Sequence, residues 1–314
     1  MNRFELAITP GDPEGIGPEV TAKALLKLEK ALRPVSVSIF GSKDAFKREK
    51  AFLRKTTASF IEPPARSSPG YQSGWAIQAA TQFVMSGNPR RALVTGPISK
   101  ERLTSAGFKY AGHTEFLADL TGANAVTMML SNELFRVALV TNHCPLKDVS
   151  ARITRHSLER TLQHSLNHCR TDLGKKNPKI AVLSLNPHAG EGGLLGLEEK
   201  EIIIPTLKGF MAKNKGVQVN GPFPADSFFA LEALRSSAKR HDIIIAQYHD
   251  QGLIPVKLSD FSCSMNMTLG LPIIRTSVDH GTAFDLAGKD RADPGSMIYA
   301  IEKSLYFLKN RRRK

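Results

Sequence analysis

Residues 4–30 read FELAITPGDPEGIGPEVTAKALLKLEK. The short apolar run 4–9 reads as a strand, the Gly- and Pro-rich segment 10–17 as a loop, and 18–30 as a helix with apolar positions at helical spacing. Pro18 suits a first helical turn, where a missing N–H costs nothing. The same order recurs outward along the chain. Strand-like runs lie at 35–40, 92–95, 135–141, 179–185 and 242–246, with helical patterns at 72–85, 157–172, 198–213 and 227–234. Strands alternating with helices long enough for crossovers predict an α/β fold with largely parallel, doubly wound sheets and sites at the carboxyl ends of strands. At 314 residues the chain exceeds one typical domain of roughly 100–200, so two α/β domains sharing a cleft are expected. No internal repeat and no Gly/Ser linker marks where one would end.

Composition narrows the class. A chain with 41% hydrophobic and 23% charged residues can bury an ordinary globular core, so disorder is not expected. No run approaches the roughly 18 apolar residues of a membrane span, and MNRFELAITPGD leads directly into a strand, so a cytoplasmic, unexported protein is expected. Cys144, Cys169 and Cys263 have no paired metal or redox spacing, and their odd number suits a reducing compartment. The net charge of +14 favours anionic partners, either nucleic acid or anionic small molecules. The basic run Lys309-Asn310-Arg311-Arg312-Arg313-Lys314 reads as a solvated, frayed end. At 7% aromatic residues the chain lacks the interleaved rings of a nucleic-acid stacking platform, which weighs against that partner.

Two glycine-rich loops invite a phosphate reading and fail its stricter tests. Gly11-Asp12-Pro13-Glu14-Gly15-Ile16-Gly17-Pro18 lacks both the G-x-G-x-x-G spacing and a terminal G-K-[ST]. Gly190-Glu191-Gly192-Gly193-Leu194-Leu195-Gly196 fails likewise. Ligand contact and a simple need for positive φ both remain open for each.

Histidines carry the stronger signal. His143 follows FRVALVTN, His188 follows IAVLSLNP and His249 follows IIIAQY, each at the exit of an expected strand. Separations of 45 and 61 residues (143 to 188, 188 to 249) exclude a local finger but allow convergence at one sheet edge or across a symmetric neighbour. A single histidine there usually caps or hydrogen-bonds. Three in matching contexts point to a divalent metal with open positions for a substrate's oxygens. His164 and His168 have i, i+4 spacing, but HSLNH lacks the H-E-x-x-H glutamate and is read as an exposed helix face. Gly112-His113-Thr114-Glu115 opens FLADL with Thr114 as its expected N-cap. Lys257, Asn266 and Arg275 lie among apolar neighbours, so the two cations need an anionic ligand or a buried ion pair.

Taken together, ITPGDPEGIGPE, LVTGPISK, GHTEFLADL, VALVTNHCPLKD, LNPHAGEGG, NGPFPAD, YHDQGLIPVK and NMTLGLPIIRTSVDHGTAFDLAG resemble the 4-hydroxythreonine-4-phosphate dehydrogenase family over residues 6–305. That resemblance implies two α/β/α sandwich domains with a cleft between them, as in isocitrate and isopropylmalate dehydrogenases, divided as 1–120 plus 276–314 and 121–275. It implies a homodimer with a shared active site. It places His143, His188 and His249 on a divalent metal (zinc, magnesium or cobalt), one of them from the partner chain, and His113, Thr114, Lys257, Asn266 and Arg275 on the substrate. DHGTAFDLAGKDRADP resembles the nucleotide loop of isopropylmalate dehydrogenase, which puts His280, Gly281 and Thr282 on NAD or NADP.

The implied reaction is metal-assisted oxidation of 4-phosphooxy-L-threonine to a 3-oxo acid. That acid decarboxylates to 3-amino-2-oxopropyl phosphate in pyridoxine 5'-phosphate biosynthesis. Asp226 or Asp250 would relay a proton. Three stretches depart from the family pattern: a short 35–75 segment, Leu194-Leu195 after AGEGG, and the glycine-poor 258–264. They leave 4-phospho-D-threonate and 4-phospho-D-erythronate open as substrates, and a metal-dependent hydrolase or a nucleic-acid-binding protein as rival classes.

Overall fold

The computed structural model describes residues 3–110 and 112–311. They form two compact units, Met1–Val126 with Ser262–Lys314, and Thr127–Phe261. The first pass through unit one supplies strands β1 (Phe4–Thr9), β2 (Val35–Phe40), β3 (Ser59–Ile61) and β4 (Arg91–Thr95). Its helices are α1 (Gly17–Lys27), α2 (Glu29–Leu32), α3 (Lys50–Lys55), α4 (Pro69–Met85), α5 (Lys100–Ser105) and α6 (His113–Thr121). Unit two holds β5 (Thr127–Ser131), β6 (Arg136–Leu139), β7 (Lys179–Leu183), β8 (Gln218–Phe223) and β9 (Ile243–Ala246). Its helices are α7 (Val149–Arg152), α8 (Arg155–Thr171), α9 (Ile204–Lys213), α10 (Ala225–Leu234) and α11 (His249–Ser259). The chain then returns to unit one with β10 (Met265–Leu269), β11 (Ile274–Val278) and α12 (Gly295–Arg311).

In unit one the strand order is β3-β2-β1-β4-β11-β10, parallel except for β10 against β11. In unit two it is β5-β6-β9-β7-β8, parallel except for β5 against β6. The fold is therefore α/β, as the alternation predicts. Central strands β9 and β11 are buried at every position, as parallel strands covered on both faces must be. Ala76, Ile77, Ala80 and Val84 of α4 pack with Leu93, Phe116 and Leu117 in unit one, and Val137, Leu183, Ile244 and Leu253 form the core of unit two. Thr154 and Ser157 cap α8 reciprocally and fix where its buried stripe begins.

Several expectations change. The helix expected over 18–30 breaks at Leu28, and the one over 198–213 opens with a π-type turn at Glu199–Ile203. His164 and His168 do not lie on an exposed face. His168 is buried with Nδ1 2.8 Å from Asp172 Oδ2, and His164 Nδ1 lies 2.9 Å from Thr127 Oγ1. Both rings serve packing, because α8 turns this side toward its sheet. Of the basic run, Lys309, Asn310 and Arg311 belong to α12 rather than to a frayed end, and 312–314 lie outside the described residues. Among the described residues no helix is long and apolar enough to cross a membrane.

Candidate metal and anion sites

Three adjacent parallel strands of unit two, in the order β6-β9-β7, carry the three strand-exit histidines. Side chains tie the exits together. Gln247 Nε2 donates to Leu183 O at 2.7 Å, Gln251 Nε2 to Ser184 O at 2.7 Å, and Thr141 Oγ1 to Gln247 O at 2.7 Å. Gln251 Oε1 accepts from Gln247 N at 2.7 Å, so one glutamine pins the turn on which His249 begins α11. His143 and His249 come together with ring centroids 5.3 Å apart. His249 Nδ1 lies 2.7 Å from Asp250 Oδ1, and because a carboxylate only accepts, Nδ1 is the nitrogen that donates there and Nε2 is the one left for another partner. A carboxylate fixing the far nitrogen is how metal-binding imidazoles are oriented.

His188 is not brought into that pair. It is exposed in a turn where His188, Ala189, Gly190, Glu191 and Gly192 all have positive φ, from 42° to 76°. Among the described residues no three His, Cys, Asp or Glu side chains converge as ligands within one chain. Two imidazoles at contact distance, one with its tautomer set by an acid, nonetheless fit a borderline divalent cation. Asp226 is exposed in the first turn of α10, where its Oδ1 accepts from Ser227 Oγ at 3.4 Å.

In unit one the anion-seeking feature is Arg275, the second residue of β11 and 2% exposed. Its Nη1 donates to Thr268 Oγ1 at 3.0 Å and its Nη2 to Thr95 Oγ1 at 2.7 Å, while Nε is buried without a partner. Among the described residues no carboxylate pairs with it, so of the two readings left open by the sequence, the ion pair is absent. Burial pulls its pKa down to about 9, which still leaves a cation at neutral pH. His113 begins α6; its Nε2 is buried and unpartnered, and burial together with the Arg275 charge holds its pKa well below 6.5. Asn266 of β10 likewise has a buried, unpartnered Oδ1. A buried guanidinium N–H without a partner, next to an imidazole nitrogen that can donate, suits an acceptor-rich anion, whereas the Asn266 Oδ1 suits a donor such as a hydroxyl. Thr114 sits one position into α6. The N-cap is Gly112, extended at φ 180°, which leaves the helix without a side-chain cap. Lys257, in unit two, ends α11 with Nζ 5.3 Å from the centroid of Phe261.

Residues 20–304 match the family described as pyridoxal phosphate biosynthetic protein PdxA. The chain belongs to that family. It is 39% identical to the 4-hydroxythreonine-4-phosphate dehydrogenase of Sulfurihydrogenibium sp. over 98% of this chain and 99% of that one. The solved 4-hydroxythreonine-4-phosphate dehydrogenase of Klebsiella pneumoniae superposes with a TM-score of 0.82 at 36% identity, covering 98% of each chain. Isocitrate dehydrogenase from Methylococcus capsulatus shares the fold alone, with a TM-score of 0.53 at 16% identity over 98% of this chain and 87% of that one.

In this PdxA-family chain the segment from His280 packs on the loop after β1. Thr282 O accepts from Ile16 N at 2.9 Å, and a Cβ at Gly15 would come within 2.8 Å of the same oxygen. His280 Nδ1 lies 3.0 Å from Gly281 O, with Nε2 buried and unpartnered. Arg102 fastens both loops: Nη1 bonds Asp12 at 3.1 Å and Glu14 at 2.7 Å, and the guanidinium lies 4.5 Å from the Phe284 centroid. Beside them, Glu14, Gly15, Ser42, Arg48, Gln72 and Gly288 line a cavity of about 430 Å³. Sequence reading missed Arg102, Thr95, Gln247 and Gln251. Only the last two gave a signal, as amides inside a strand-exit motif.

Proposed function

We propose that this protein is a cytoplasmic, divalent-metal-dependent, NAD(P)-linked dehydrogenase that oxidises 4-phosphooxy-L-threonine to a 3-oxo acid, which decarboxylates to 3-amino-2-oxopropyl phosphate. The observation that carries it is the His143–His249 pair, with ring centroids 5.3 Å apart, in a chain of the PdxA family. His143 and His249 would hold the metal, with His188 as third ligand. When bound, a zinc, magnesium or cobalt ion supplies Lewis acidity that lowers a hydroxyl pKa and offsets negative charge as carbon dioxide leaves.

The chain's own residues do the rest. Arg275 fixes the phosphate through charge-assisted hydrogen bonds, and His113, kept neutral by burial and by Arg275, has one nitrogen to donate and one to accept. Asn266 and Thr114 complete that anion site, and Lys257 neutralises a second anionic group. His280, Gly281 and Thr282 border the nucleotide, for which the neighbouring cavity of about 430 Å³ offers room. Asp226, exposed at the start of α10, exchanges the proton with water. Two histidines paired within a chain and a third standing apart on an exposed turn support a homodimer in which a second copy completes the site. Sedimentation at micromolar concentration reads that state directly.

The deciding experiment follows NADH and NADPH formation by the purified protein with each metal on 4-phosphooxy-L-threonine, 4-phospho-D-threonate and 4-phospho-D-erythronate. Preferred turnover of the first is expected. Activity confined to a phospho-sugar acid would move the enzyme to catabolism, and no reduction of either nucleotide on any of them would overturn the reading.

A further inference from the structure

We propose that Glu199 is the positioning residue for His188, holding the strand exit from which the left-handed turn departs. The inference rests on the reading of His188 as a metal ligand. Glu199 is 2% exposed, and among the described residues no Lys, Arg or His forms an ion pair with it. Its carboxylate is spent on the two residues that precede Pro187 and His188. Oε1 accepts from Leu185 N at 2.7 Å and from Asn186 N at 2.9 Å, and Oε2 accepts from Asn186 Nδ2 at 2.9 Å. Glu198 takes the other hydrogen of that amide, Asn186 Nδ2 to Oε2 at 2.8 Å, and also accepts from Ser150 Oγ.

The far side of the turn closes on the same groups. A Cβ at Gly190 would lie 2.7 Å from Glu199 Oε2, and one at Gly196 would lie 2.4 Å from Asn186 Nδ2. Residues 186–199 therefore form a knot around one carboxylate. His188, Ala189 and Glu191 hold φ of 51°, 54° and 42°, a conformation costing of order 1 kcal/mol or more per residue that persists only where surroundings impose it. Burying a carboxylate without a counter-charge is also unfavourable. Both unfavourable features belong to the short segment that carries His188. Glu199 is the first residue of the π-type turn Glu199–Ile203, and such turns gather at functional positions.

The test measures cobalt(II) binding to the full-length protein by equilibrium dialysis and visible absorption, with no turnover involved. Glu199→Ala is expected to weaken cobalt affinity about 10- to 100-fold and to change the absorption bands. Glu199→Gln, which keeps an oxygen for the two backbone N–H groups, should recover most of the affinity, to within about 3-fold of the parent. His188→Ala should weaken binding on its own, and the double variant His188→Ala/Glu199→Ala should be no weaker than His188→Ala alone, because Glu199 acts through that ring. A Glu199→Ala protein that melts earlier but binds cobalt with parental affinity and spectrum would overturn the proposal. If that variant does not fold, Glu199→Asp decides, since it keeps the charge but draws the carboxylate back from Leu185 N and Asn186 N, and a wholly parental affinity and spectrum would overturn the proposal equally. Should His188→Ala bind cobalt like the parent, the ligand reading itself fails; weakening by His188→Ala but not by Glu199→Ala removes this inference alone.

Discussion

Arg275 Nη2 donates to Thr95 Oγ1 at 2.7 Å, so the guanidinium on β11 is held by a hydroxyl of the neighbouring strand and not by a carboxylate. The fold carries the desolvation of that cation without a counter-charge, which is what supports the proposed anion site.

Arg275→Met should therefore separate stability from binding. Removing an uncompensated buried charge while keeping apolar volume is expected to leave the melting temperature unchanged or raised. Losing the charge-assisted hydrogen bonds should raise KM for the phosphorylated substrate about 10- to 100-fold. Calorimetry and steady-state kinetics check both halves, and unchanged KM would remove Arg275 from the anion site.

His113 gives a pH signature. Its folded pKa lies below its ordinary 6.5, so as pH falls through about 6.5 the unfolded chain takes up the proton first. This residue's share of stability is thus fully present above about 6.5 and is lost progressively below it. Urea unfolding from pH 5 to 8 should show a shallower decline for His113→Asn than for the parent. Arg275→Met should raise the His113 pKa as read by NMR, since part of the depression comes from that charge.

Asp250→Ala should weaken cobalt binding about 10-fold or more by removing the acceptor of the His249 Nδ1 proton. Dialysis against a chelator measures it. Parental affinity would show that the 2.7 Å contact does not orient the ring.

Gly190→Ala places a Cβ 2.7 Å from Glu199 Oε2 at φ 76°, where alanine is strained in any case. A loss of about 1–3 kcal/mol of unfolding free energy is expected from urea titration. Gly87, also at positive φ but with nothing within 4 Å, is the control; alanine there carries the backbone cost without the clash.

The repeating strand-loop-helix pattern was legible because β1, β2, β4, β6, β7 and β9 are apolar runs between long amphipathic helices. Five strands escaped, β3, β5, β8, β10 and β11, and three of them have a composition or length that hides a strand. β11 carries Arg275, β8 contains Gly221-Pro222, and β3 is three residues long at the end of its sheet. Histidines 143, 188 and 249 were readable from their shared place after strands. Their differing environments were not, because a left-handed turn at His188 and a paired ring at His249 depend on partners 11 residues on and 1 residue on. His164 and His168 misled for a related reason: spacing reports which residues share a face, and only packing reports what that face meets.

Unit two runs without interruption from Thr127 to Phe261, whereas unit one is finished only by β10, β11 and α12. A ribosome therefore releases every residue of the second unit before β11, the second of β4's two partner strands, exists. The nascent chain can complete its middle while its beginning still waits with an open sheet edge, the reverse of the usual order in which amino-terminal domains mature first. Chaperone demand during synthesis should fall on the opening segment, and truncations made between Phe261 and β11 should leave a sound second unit attached to an unfinished first.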